Sequence, residues 1–125
     1  MKQWIIFCIL CFVMLKCTEE ILEDTTPPIV NITYPHNSEW FYLFDTLDIK
    51  VEASDNVAVI RVNFHVSRDE GLYWTKIIDW DDYAEPYIYE KWIPFYHARH
   101  KIRATAYDSS NNWNEDIIII EVLGH

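Results

Sequence analysis

Carboxylates are the side chains of this 125-residue sequence that come nearest to chemistry: 20 Asp and Glu stand against 10 Lys and Arg, for a net charge of −10. Three aspartates sit beside turn-forming residues. Asp24 precedes Thr25-Thr26-Pro27-Pro28, Asp55 precedes Asn56, and Asp108 precedes Ser109-Ser110-Asn111-Asn112. Oxygen donors in irregular loops suit calcium, which takes about six to eight oxygens. Asp24, Asp55, Asn56, Asp108 and Asn111 are the set that would hold it. The same side chains can instead cap turns through their own backbone, and no EF-hand spacing is present. Asp81-Asp82 and Glu85 resemble an acid–base pair, but no insertions surround them to form a cleft.

No catalytic residue emerges from the rest. His97 and His100, three apart on a strand, would point to opposite faces rather than share a metal. No nucleophile elbow is present, and two glycines are too few for a phosphate-cradling loop. All three cysteines, Cys8, Cys11 and Cys17, lie near the start, so the remainder has neither disulfide nor thiol chemistry. The negative balance disfavours nucleic acid and anionic membrane surfaces. What remains is aromatic: 6 Trp, 8 Tyr and 6 Phe. Trp40, Phe41 and Tyr42, with Phe95 and Tyr96, are the candidate ligand-binding residues, as exposed rings mark partner sites.

These residues need a scaffold and a location. Residues 1–17 read as an export signal. Trp4 to Leu15 is an unbroken apolar run, short of the roughly 20 residues of a membrane-spanning helix. The cysteine directly after it resembles a bacterial lipoprotein signal, which makes Cys17 the lipidated residue, although Lys16 stands where that pattern has a small side chain. Membrane contact is then through an N-terminal lipid or an uncleaved signal only. The protein is expected in the cell envelope or at the outer surface, or secreted if Cys17 is unmodified. Residues 18–27 are an acidic tether ending in proline, which bars a helix.

Residues 28–125 read as one domain of extended chain. Leu47, Ile49, Val51 and Ala53 alternate with polar residues, as do Ile60, Val62, Phe64 and Val66, and Ile102, Ala104 and Ala106. Alternation of this kind gives one dry face and one wet face. Weaker strands are expected over 29–34, 72–79, 87–93 and 115–123. Arg68 to Gly71 reads as a hairpin loop, and Asp79 to Pro86 as a loop. Trp92 and Phe64 are the large side chains expected opposite the small Ala104 and Ala106. Seven short strands predict an all-β, immunoglobulin-like antiparallel sandwich.

DTTPPIVNITYP over 24–35, ASDNVAVIRVNF over 53–64, Pro86-Tyr87 and HKIRATAYDSSNN over 100–112 resemble, in order, the motifs of the bacterial Ig-like domain family. The resemblance implies a non-enzymatic module of cell-surface or secreted proteins. In such a sandwich loops alternate ends. One pole receives the tether with Asp24, Asp55, Asp79, Asp81, Asp82, Glu85 and Asp108; the other receives the Trp40 segment and Phe95–Tyr96. The expected function is protein interaction, adhesion or envelope scaffolding. The alternative is a small carbohydrate-binding module that stacks sugars on coplanar distal rings; the partner is an extracellular protein or a glycan. The aromatic loop can also fold down and plug the open end. Ile117 to Ile120 places isoleucines on both faces of the last strand, which is therefore covered or pairs with a neighbouring chain.

Overall fold

The computed structural model describes residues 23–68 and 75–124. The expected export signal with Cys17, most of the expected tether and the tip of the expected hairpin lie outside the described residues. Among the described residues there are eight strands: β1 Ile29–Tyr34, β2 Trp40–Tyr42, β3 Leu47–Ser54, β4 Val59–Arg68, β5 Thr75–Asp82, β6 Tyr87–Trp92, β7 Arg99–Asp108 and β8 Trp113–Leu123. They form a three-stranded sheet, β1-β3-β6, facing a five-stranded sheet, β2-β8-β7-β4-β5. The fold is the expected all-β sandwich. Among the described residues no helix is long and apolar enough to cross a membrane.

Alternation explains why these segments are strands and which way they face. Leu47, Ile49 and Val51 of β3, Val62, Phe64 and Val66 of β4, and Ile102, Ala104 and Ala106 of β7 are all buried. Phe64 stands beside Ala104 in the β4–β7 register and leans on Tyr89, with ring centroids 6.4 Å apart. Trp92 is also buried, edge-on to His100 at 5.6 Å. Each fully buried aliphatic or aromatic side chain stabilises the sandwich by roughly 1.5–3 kcal/mol.

Three expectations need correction. Ile60 is 43% exposed, because the β4–β7 register slips between Val59 and Arg61. Val59 packs against the core in its place. The strand expected over 72–79 is described at Thr75–Asp82, so Asp79 and Asp81 lie on a strand rather than in a loop. The aromatic segment after Ser38, expected as loop, contains β2. This three-residue edge strand pairs parallel with the end of β8, Trp40 beside Glu121 and Tyr42 beside Leu123. The chain leaves the first sheet at the cis Tyr34–Pro35 bond. The Asn37 side chain then accepts the Ile119 amide at 2.9 Å, and the Ser38 amide donates to the Ile119 carbonyl at 2.7 Å. These two bonds extend the ladder ahead of β2.

Candidate functional site

Two groups of residues stand out, one at each end of the sandwich. At the end where the chain enters, one oxygen each of Asp24, Asp55 and Asp108 lies within 4.8 Å of the others. Each carboxylate also organises backbone. Asp108 Oδ1 accepts the Ser110 and Asn112 amides at 2.8 and 2.9 Å, and its Oδ2 accepts the Asn112 side chain at 2.9 Å. Asp55 Oδ2 accepts the amides of Val57 and Ala58. Asp24 Oδ1 accepts the Thr26 amide and, at 3.3 Å, the Asn56 side chain. Turn capping is therefore present, and it leaves something over. Asp24 Oδ2 and Asp55 Oδ1 are buried with no hydrogen-bond partner among the described residues.

Burial of Asp108 pushes its carboxyl upward, but the hydrogen bonds donated by Asn112 and Ser110 outweigh that and hold it below the ordinary range. Three carboxylates this close repel unless a proton or cation bridges them. An all-oxygen donor set that includes two buried oxygens lacking partners among the described residues fits a hard cation such as calcium. Of the expected ligands, Asp24, Asp55 and Asp108 come together, and Asn56 touches the group through Asp24. Asn111 occupies the exposed left-handed position of the turn, at φ 65°. Its neighbour Asn112 reaches in instead, donating to both Asp108 and the Asp24 carbonyl, the latter at 2.9 Å. Asp79 and Asp81 face outward from the five-stranded sheet. They accept from Asn63 at 2.9 and 3.1 Å, and Asp81 pairs with Arg61 at 3.2 Å.

At the far end, alternation along β2 splits the aromatic run. Trp40 and Tyr42 are 57% and 42% exposed, with centroids 5.4 Å apart and planes at 79°. Phe41 between them turns inward, packs on the core and meets Tyr34 edge-on at 6.4 Å. Phe41 is thus half-buried against the core and not the exposed contact residue expected. Phe95 and Tyr96 are exposed. Phe95 is joined by Phe44, a residue the sequence reading did not single out: the rings lie 5.9 Å apart at 65°, and the Phe44 amide donates to the Pro94 carbonyl. Phe44 holds a left-handed backbone at φ 69°, rare for a bulky side chain. The Arg68 guanidinium lies 4.2 Å from the Tyr96 ring centroid. His100 Nδ1 lies 3.0 Å from the Ala98 carbonyl oxygen, within hydrogen-bond distance.

A cleft of about 560 Å³ opens between β5 and β6, lined by residues that include Ile78, Tyr89, Trp92 and Phe95. Among the described residues Lys91 is the one charged side chain on its wall, and no carboxylate or histidine lines it.

No protein-family model matches the chain, and no curated protein matches it. Among solved structures it is similar to the fibronectin(III)-like modules of Clostridium thermocellum CbhA, at 28% identity and a TM-score of 0.66. That similarity covers 82% of this chain and 50% of the other, so the chain spans half the length of its structural neighbour.

Proposed function

We propose that this chain is an exported, non-enzymatic immunoglobulin-like module that engages another protein through the aromatic residues of β2 and the distal pole. The observation that carries this reading is the geometry of the exposed rings. Trp40–Tyr42 and Phe44–Phe95 stand edge to face, at 79° and 65°. Stacking a sugar requires a flat platform, which neither pair offers. Projecting Trp, Tyr and Phe side chains suit pockets on a protein partner instead, where such residues dominate binding energy. The resemblance to a fibronectin(III)-like module supports a generic interaction role of this kind.

The leader completes the proposal. Residues 1–17 direct export and Cys17 carries the lipid, so that the acidic tether presents the sandwich with its aromatic pole outward. Calcium at Asp24, Asp55 and Asp108 would brace the opposite pole, where the tether joins. The buried Asp24 and Asp55 oxygens without hydrogen-bond partners among the described residues support that site.

A glycan array probed in parallel with protein-binding assays tests the central point. The expected result is no glycan retention and protein binding that weakens in Trp40→Ala. Glycan retention lost in Trp40→Ala would support the carbohydrate-binding alternative. Lipidation is read separately: the chain should partition into the detergent phase, and Cys17→Ser should abolish that shift.

A further inference from the structure

We propose that the outward face of the five-stranded sheet docks a second copy of this chain; this rests on the protein-contact reading above and names the partner. An apolar stripe runs along that face. Trp113, Ile117 and Leu123 of β8 are 56%, 39% and 38% exposed, and Trp40 and Tyr42 of β2 continue it beside Glu121 and Leu123. Next to the stripe, Arg99, Lys101 and Arg103 form a basic column on β7, matched across the register by Glu121, Ile119 and Ile117.

Charge selects the occupant. The chain carries −10 overall, and like-charged copies repel. This face is the exception. Arg61, Arg99, Lys101 and Arg103 balance Asp79, Asp81, Glu115 and Glu121 there, through contacts such as Arg99–Glu121 at 2.7 Å and Arg61–Asp81 at 3.2 Å. A second copy meets no net repulsion on this side. A two-fold axis through the face brings the β7 cations of one copy toward the β8 glutamates of the other. Opposed faces in an isologous contact need this self-complementarity.

The area suffices. Five strands spaced about 4.8 Å apart, each rising about 3.3 Å per residue, give a face on the order of 700 Å² per copy. Two such faces bury about 1,400 Å², within the roughly 1,200–2,000 Å² of specific interfaces.

Sedimentation velocity on the purified full chain, from micromolar to submillimolar and at low and high salt, decides the matter. The expected result is a concentration-dependent dimer, weaker at high salt because the β7 cations and β8 glutamates that meet across it are screened. Ile117→Arg and, separately, Trp40→Ala should each weaken it at least tenfold, with the circular dichroism of the fold unchanged. A single monomer at every concentration overturns the proposal, as does association that neither substitution moves. If the dimer fails while Trp40 still contacts a different protein, the interaction reading stands and only the partner assigned here falls.

Discussion

The Asp116 carboxylate accepts the backbone amide of Ile32 at 2.8 Å, across 84 residues of sequence. A side chain of β8 thus does for β1 what a neighbouring strand would otherwise do. Two residues earlier, the Asn114 side chain donates to the Pro28 carbonyl at 3.1 Å. Together they close one side of the sandwich with polar side chains where the two sheets do not share a ladder. An inward carboxylate near a strand edge also discourages pairing by a foreign strand.

Loss of that rung has a measurable effect. A hydrogen bond to a charged acceptor contributes roughly 1.5–3 kcal/mol, so Asp116→Ala should destabilise the domain by about that amount. Amide exchange at Ile32 should accelerate more than exchange at Ile49 in the middle of the sheet. Asp116→Asn retains an acceptor oxygen and should lose less. Unchanged exchange at Ile32 in the alanine variant would show that the bond does not hold β1.

Neighbouring aromatic residues of β2 should behave oppositely. Phe41 packs on the core, whereas Trp40 is 57% exposed. Phe41→Ala should cost about 2–4 kcal/mol in urea denaturation, near the range of aromatic truncations in cores. Trp40→Ala should stay within about 0.5 kcal/mol, as surface substitutions do. Equal losses would mean that β2 is not seated as described.

Much of this was legible in the residues, and the exceptions have physical causes. β3 and β7 each alternate strictly because one face is wet and the other dry, so their inward residues could be read directly. Ile60 could not, since the bulge that turns it outward depends on the β7 partner. β2 is three residues long and its parallel partner lies some 80 positions away, so no local pattern marks it. Asp24, Asp55 and Asp108 converge because loop alternation assigns them to one pole. The choice between Asn111 and Asn112 turns on which takes the left-handed position, a property the two adjacent asparagines share. Phe44 was missed for a related reason, as an aromatic at positive φ runs against residue preference.

Calcium should stabilise the tether pole. In melts after chelation, added calcium should raise the Tm, and magnesium should do so less, because it demands near-octahedral geometry. Asp55→Asn removes one charge from the group while keeping a cap acceptor, so it should abolish most of the calcium response with little effect on the metal-free Tm. No calcium-dependent heat or Tm shift in the parent chain would exclude a metal there.

Alkaline pH should weaken the fold through Tyr87. Burial, reinforced by Glu85 and Asp82, raises its hydroxyl above the ordinary tyrosine value. The folded state therefore keeps a proton that the unfolded chain releases near pH 10. Its contribution to stability is complete below that pH and is lost as pH rises through the raised folded value. Tyr87→Phe should flatten the decline in Tm above about pH 10. A decline of the same steepness in the variant would assign the effect elsewhere.

The most direct test of the interaction reading places a benzophenone amino acid at position 40 of the full chain and irradiates intact cells of the organism that makes it. The account predicts a covalent adduct to a polypeptide, identifiable by mass spectrometry and absent when the probe stands at position 52 on the opposite sheet. Adducts to saccharide alone, or none at position 40, would contradict it.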